Sequence, residues 1–430
     1  MSEEPQGEAA RKVAQHPALW LVLLLTTATF SVGAWWKVAC GEAYRNLCYN
    51  DIAPLYFARG LSNGVRLYLE SVDGRFLEYP VLTGAVMQVA GWFTGVEGDP
   101  VVRSQTYFVV TCVLLLFFAL VTTTAMWFTE PGARIRSAGR HVSGELERVG
   151  PRAALMVAVA PVLMLDGAIN WDLIAVAFTA LALWAWSREA PLLAGVFLGL
   201  GASAKLYPLF ILGPIVVLCA RQQQWRALAR VTGATVGAWL MANVPLMVLS
   251  PDGWKEFYTF SQERGVDFGS IWLAWANLGH GFTATATVNT MSTVAFLVAC
   301  ALVAVLAWLR PSASVAQLAF LVIAAFVLVN KVYSPQYALW LLPLAALARP
   351  RWPAFLLWQV GEVIYFVAIW RHLLGYGQGE LPEGAIGDAP YTAAIVIHVV
   401  LTVIFAGLVV SDVVREGGQF QKVTSARVVV

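Results

Sequence analysis

The chain has 430 residues, 59% of them hydrophobic and 13% charged, with a formal net charge of +2, whereas an ordinary soluble domain is about 45–50% apolar and about 25% charged. A mean hydropathy of +0.68 makes lipid rather than water the main solvent, and the near-neutral balance excludes a general affinity for nucleic acid or another polyanion. Five cysteines are too few for a disulfide scaffold.

In hydrocarbon every backbone N–H and C=O must be satisfied within its own segment, which requires helices of ~20 mostly apolar residues. Residues 1–17 are polar and hold no cleavage signal, which predicts a cytoplasmic tail before a retained anchor. Apolar runs then predict helices at 18–36, 105–128, 153–167, 171–186, 190–204, 206–220, 231–249, 288–309, 315–332, 335–348, 353–370 and 392–413. The expectation is an all-α polytopic membrane protein of about 12 spans, a single transmembrane domain over 18–413 with a second cytoplasmic tail at 414–430.

Orientation turns on residues 80–96, a short run that opens with Pro80 and contains Gly84, Gly91 and Gly95. If this run spanned, Arg134, Arg136, Arg140, Arg148 and Arg152 would face outside, against the positive-inside rule. If it lies at the outer surface they fall inside. They then join Arg11, Lys12, Arg188, Arg221, Arg226, Arg230, Arg310, Arg349, Arg351, Arg415, Lys422 and Arg427. Both termini are then cytoplasmic, and the long segments 37–104 and 250–287 lie outside. Their Trp, Tyr and Phe content argues for packing at the interface rather than disorder.

This orientation gathers the reactive side chains at the outer ends of the helices. Asp51 opens DIAPLYFARGL, where a carboxylate serves either as a helix N-cap or as a general base beside the membrane. Glu78 and Tyr79 precede Pro80, with capping again the plain alternative. Asn170, Trp171 and Asp172 lie in a tight turn, suited either to turn chemistry or to holding hydroxyl groups. Lys205 and Tyr207 in SAKLYPL, and Lys331, Gln336 and Tyr337 in NKVYSPQYALW, sit at matching depth. A lysine there either snorkels to the interface or meets a lipid phosphate. Arg264, Asp267 and Ser270 belong to an outer segment that either caps a cavity or is merely solvated, and Glu362 is intramembrane and therefore costly unless paired. Cys40 and Cys48 are the only cysteines in a predicted outer loop, and an oxidising exterior predicts their disulfide. Zinc, phosphate-loop and nucleophile-elbow motifs are absent from the sequence, and its five histidines are scattered.

Five stretches carry a resemblance: NDIAPLYFARGL (50–61), LEYPVLTG (77–84), INWDLIAVAFTALALWAW (169–186), GLGASAKLYPLFIL (199–212) and NKVYSPQYALWLLPL (330–344). In them the chain resembles the polyprenol-phosphate-sugar-dependent glycosyltransferases of the GT-C class, particularly the bacterial, largely actinobacterial α-1,2-mannosyltransferase-like family. It is also similar to the catalytic subunit of GPI mannosyltransferase I. The resemblance implies a GT-C fold with juxtamembrane helices in the first outer loop. It implies inverting transfer of a sugar, mannose above all, from a polyprenyl phosphate to a glycolipid or glycan acceptor at the outer face of the plasma membrane. Asp51 matches the family's base, and Lys205 and Lys331, with Tyr207, match its donor-phosphate positions. Glu78, Tyr79, Asn170, Asp172, Gln336, Tyr337 and Arg264 are then expected to hold sugar or acceptor. No cofactor is implied, although a single Asp in place of a DxD pair leaves a divalent cation open. A transporter or flippase of a lipid-linked sugar and a noncatalytic scaffold are the competing classes. The chain shows no internal repeat of the kind on which many transporters are built.

Overall fold

A computed structural model describes residues 18–38, 40–129, 149–281 and 284–425, and no strand occurs among them. The helices are α1 (Leu19–Val38), α2 (Ile52–Ala58), α3 (Val81–Thr94), α4 (Pro100–Phe128), α5 (Val149–Ala158), α6 (Pro161–Asp166), α7 (Leu173–Ser187), α8 (Pro191–Ala204) and α9 (Leu212–Arg221). They continue as α10 (Trp225–Leu249), α11 (Pro251–Glu263), α12 (Ile271–Asn277), α13 (Thr285–Leu309), α14 (Val315–Val329), α15 (Ala338–Ala348), α16 (Trp352–Gly375) and α17 (Asp388–Ser425).

Six of these, α1, α4, α10, α13, α16 and α17, are long and apolar enough to cross a membrane. Leu297, Leu302 and Leu309 on α13, and Met241, Val248 and Leu249 on α10, are more than half exposed. Apolar surface on that scale needs a lipid neighbour, and the chain is a multi-pass membrane protein. The arginines 134, 136, 140 and 148, together with Arg11, Lys12 and Arg427, lie outside the described residues.

Proline accounts for most departures from the expected runs. The helix expected at 153–167 is broken between α5 and α6, where Pro161 has no N–H to give to the preceding turn. Pro208 and Pro335 likewise sit in tight 3₁₀ turns, Tyr207–Ile211 and Pro335–Tyr337, which precede α9 and α15. The last helix runs beyond the expected limit of 413 to Ser425, because the polar stretch that follows holds no proline to stop it.

Helix α3, of 14 residues, is tied at both ends to neighbouring elements. At its start Thr83 donates to the carbonyl of Ala204, the last residue of α8, at 2.7 Å. At its end the Gly95 carbonyl accepts from Tyr56 of α2 at 3.4 Å, and the chain turns at once into α4. Trp92 and Phe93 remain exposed on its outer side. Helices α1 and α4 run antiparallel, joined by the Thr26 and Thr123 hydroxyls at 3.0 Å.

Close packing holds α8, whose last turn presents Lys205. Gly195 and Gly199 let α10 approach until a Cβ on either would fall 2.2 Å from the Val231 carbonyl oxygen or 2.4 Å from that of Thr235. Small residues four apart are what such a backbone approach in lipid requires. Glu362 is buried, and one carboxylate oxygen accepts from Tyr333 at 3.2 Å, Trp358 at 3.0 Å and Thr402 at 3.3 Å, while the other accepts no hydrogen bond. His398 faces the other oxygen at 3.4 Å. Three donors offset the cost of placing that carboxylate among apolar helices.

Candidate active site

Around Asp51, the segments between helices line a cavity of about 650 Å³, within the size range that buries small-molecule ligands. The floor comes from Asp51 and from the α6–α7 turn at Ile169 and Asn170. Glu78, Tyr79, Lys205, Gln336 and Tyr337 form one side, while Tyr44, Tyr49 and Trp370 form another. Helix α11 closes over them with Phe257, Phe260 and Arg264. It lies directly on the loop beneath, since a Cβ at Gly253 would fall 2.0 Å from the Tyr68 carbonyl oxygen.

Asp51 does not cap α2. Its side chain makes no bond to the helix N–H groups, and the neighbouring Asn50 side chain accepts from the Ala53 N–H at 2.9 Å instead. The Asp51 backbone N–H is tied to the Ile169 carbonyl at 2.8 Å. Its carboxylate is therefore left to the cavity, where Tyr49 donates to one oxygen at 2.7 Å and Asn170 approaches the other at 3.5 Å. Burial raises the carboxyl above its ordinary value, against the opposing pull of the Tyr49 hydrogen bond, the Lys205 ammonium and the Asn170 amide. If this carboxylate serves as a base it must be ionised, and activity that depends on it belongs above this pKa and is lost as pH falls through it. The acid limb of kcat/KM is accordingly expected above the ordinary carboxylate range, and Tyr49→Phe, which removes a bond that favours the ionised form, is expected to move it higher. A limb that stays in place in Tyr49→Phe would contradict this.

Lys205 follows the last residue of α8 with extended backbone. Its ammonium lies 3.0 Å from Asp172, whose side chain is wholly buried, and 5.4 Å from the ring centre of Tyr79 and 5.9 Å from that of Tyr337. Burial pulls the ammonium down, but Asp172, Tyr337 and Asp51 more than compensate and leave it above its ordinary value. Glu78 also does not cap its helix; it pairs with Arg59 at 2.6 Å. Arg264 ends α11 and grips Asp267 with two nitrogens, one at 2.7 Å.

Three expected site residues do not line the cavity. Asp172 stands behind Lys205 and also accepts from the Trp340 indole at 2.7 Å. Tyr207 is buried, stacked on Trp340 at 4.7 Å, with its hydroxyl 3.1 Å from Thr179. Lys331 is turned toward α13: its ammonium donates to the Asn289 side chain at 2.6 Å and to the Gln262 carbonyl at 3.3 Å. The reason is the backbone. Residues 331–333 pair with 267–268, Asp267 N–H to Lys331 C=O at 2.9 Å and Tyr333 N–H to Phe268 C=O at 3.1 Å. Gly269, at φ +76°, lets them meet where a Cβ would fall 2.0 Å from the Tyr333 carbonyl oxygen. Trp171, between Asn170 and Asp172 in that turn, is packed inside against Tyr79 at 5.6 Å.

Cys40 and Cys48 are joined in a disulfide with Cα atoms 5.9 Å apart, enclosing Tyr44 in the closed loop. Closing a loop of this length removes about 2–3 kcal/mol of unfolded-chain entropy. The melting temperature of the protein is expected to fall on addition of reductant, whereas a Cys40→Ser/Cys48→Ser variant should melt lower and ignore reductant. Equal melting of both proteins under all conditions would contradict it. Tyr44, Tyr49 and Trp370 had no motif to announce them; the one available signal was an aromatic residue two positions before Asp51. Among the described residues no three His, Cys, Asp or Glu side chains lie close enough to share a metal ion.

Residues 76–330 match the family model described as Glycosyltransferase family 87. No curated protein matches the chain.

Proposed function

Because the chain belongs to glycosyltransferase family 87, with a match over residues 76–330 of 430, we propose that this membrane glycosyltransferase works by inverting transfer from a polyprenyl phosphate sugar, mannose first among candidates, to an acceptor hydroxyl. The observation that carries the reading is Asp51, a carboxylate that declines the cap of its own helix and faces a cavity shared with Lys205.

In this mechanism the acceptor oxygen attacks the anomeric carbon while its proton passes to Asp51. The bond from that carbon to the phosphate oxygen breaks, and the electron pair leaves on polyprenyl phosphate. Negative charge grows on the phosphate as the bond breaks, so the Lys205 ammonium stabilises the transition state more than the bound donor. Tyr337 offers a hydroxyl at the same wall, and Asp172 holds Lys205 from behind. Gln336, Asn170, Glu78 and Arg264 present the remaining polar groups to the sugars. Lys331 and Tyr207 act as supports, Lys331 by tying α11 to α13 and Tyr207 by backing Trp340. The short apolar helices complete a GT-C-like bundle around the long ones, with the cavity at the outer face of the plasma membrane and both termini inside.

The test is a donor screen. Purified protein in lipid nanodiscs is given labelled polyprenyl phosphate hexoses and a glycolipid and glycan extract, and the product linkage is determined. Transfer with inversion at the anomeric carbon is expected. Retention of configuration, or a donor requirement for a sugar nucleotide alone, would overturn the mechanism.

A further inference from the structure

We infer that the wall formed by Tyr44, Tyr49 and Trp370 is the acceptor subsite, where the glycolipid or glycan acceptor lays one of its sugar rings. The inference rests on the reading of Asp51 as the base.

The side of the cavity follows from what a base does. Asp51 takes its proton from the acceptor, so the acceptor hydroxyl must touch its carboxylate, and the group nearest that carboxylate is the Tyr49 hydroxyl at 2.7 Å. Tyr49 is not isolated. Its ring lies 4.7 Å from that of Trp370 and 5.6 Å from that of Tyr44, and the Tyr44 and Trp370 rings are within 14° of parallel. All three line the cavity. The cation that would meet the leaving phosphate is bounded by a different set of rings, Tyr79, Tyr337 and Trp340. Tyr79 and Tyr337 of that set also line the cavity, so each substrate has its own aromatic neighbours in this reading.

The chemistry of the wall selects the class. One face of a pyranose presents C–H groups whose slightly positive hydrogens suit the negative face of an aromatic ring. Its rim of hydroxyls needs donors and acceptors at the ring edges. The wall supplies both, through its ring faces and the Tyr44 and Tyr49 hydroxyls. A Ser or Thr side chain or a simple alcohol would use neither the ring faces nor a second hydroxyl contact. The disulfide adds a structural reason, because it fixes the loop that carries Tyr44 at the cavity mouth.

The experiment uses the full-length protein in nanodiscs with a labelled polyprenyl phosphate hexose. Octyl glycosides of the common hexoses are the acceptor probes, and octanol and a Ser/Thr peptide are the comparisons. Transfer to at least one glycoside and to neither comparison is expected. Tyr44→Leu, which keeps apolar volume but loses the ring, should raise the glycoside KM by ~10-fold with donor KM nearly unchanged, and Tyr44→Phe, which keeps the ring and loses only the hydroxyl, should raise it less. Should Tyr44→Leu fail to accumulate, Trp370→Phe, which cuts the aromatic face back to a single ring, is read the same way. Transfer to octanol or peptide as efficient as to glycosides would overturn the inference, as would donor hydrolysis with no transfer to any glycoside. An unchanged glycoside KM in the variant would also overturn it. Failure of the base reading is seen separately: Asp51→Asn would then turn over at the wild-type rate whatever Tyr44 does.

Discussion

Asp51→Asn is expected to lower kcat by ~10²–10⁴ while leaving donor affinity and melting temperature close to wild type. The local structure explains why stability should hold. The cap of α2 belongs to Asn50, and the tie from residue 51 to the Ile169 carbonyl is made by backbone. Asparagine keeps the volume and one acceptor oxygen for Tyr49, and burial already disfavours the charge it removes. What it loses is the ability to take a proton. Asp51→Glu restores that ability on a longer arm and should recover part of the rate. Turnover and melting measured on the same preparations decide the matter, and an Asp51→Asn protein with full turnover would sink the mechanism.

The second large effect is expected at Lys205, where two consequences must be separated. Lys205→Met removes the cation proposed to face the donor phosphate, and it also strips a wholly buried carboxylate of its ion-pair partner. Asp172 would keep only the Trp340 donor on one oxygen, since its other oxygen has no partner at all. Breaking one side of a buried pair typically costs about 3–5 kcal/mol, most of it from the charge left behind. Lys205→Met should therefore melt well below wild type and bind both donor and free polyprenyl phosphate weakly. Adding Asp172→Asn removes the orphaned charge. The double variant should regain most of its stability without regaining donor binding or kcat. If the double variant binds donor normally, Lys205 serves the fold alone.

The contrast between Lys205 and Lys331 shows how far a sequence can be read. Both lie beside a proline-broken helix end at equivalent positions in the chain, and nothing in their local residues separates them. Their fates differ because of distant partners: Asp172 holds the first at the cavity, while Asn289 and Gln262 draw the second toward α13. The same holds for the aromatic wall. Tyr44 and Tyr49 come from the first long loop and Trp370 from the end of α16, more than 300 positions away, and no local pattern links them.

Composition and the spacing of apolar runs determined by themselves that this chain lives in lipid as a helical bundle, because hydrocarbon penalises any unpaired backbone group and leaves helices as the simplest answer. Proline and glycine positions marked where those helices break, since both act through backbone constraints that are local in sequence. Only the tertiary structure decided that Asp51 is released from capping by Asn50 and that three rings gather beside it. Those outcomes depend on which helix ends meet in space, and such meetings are set by packing between residues far apart in the chain, which no local periodicity encodes.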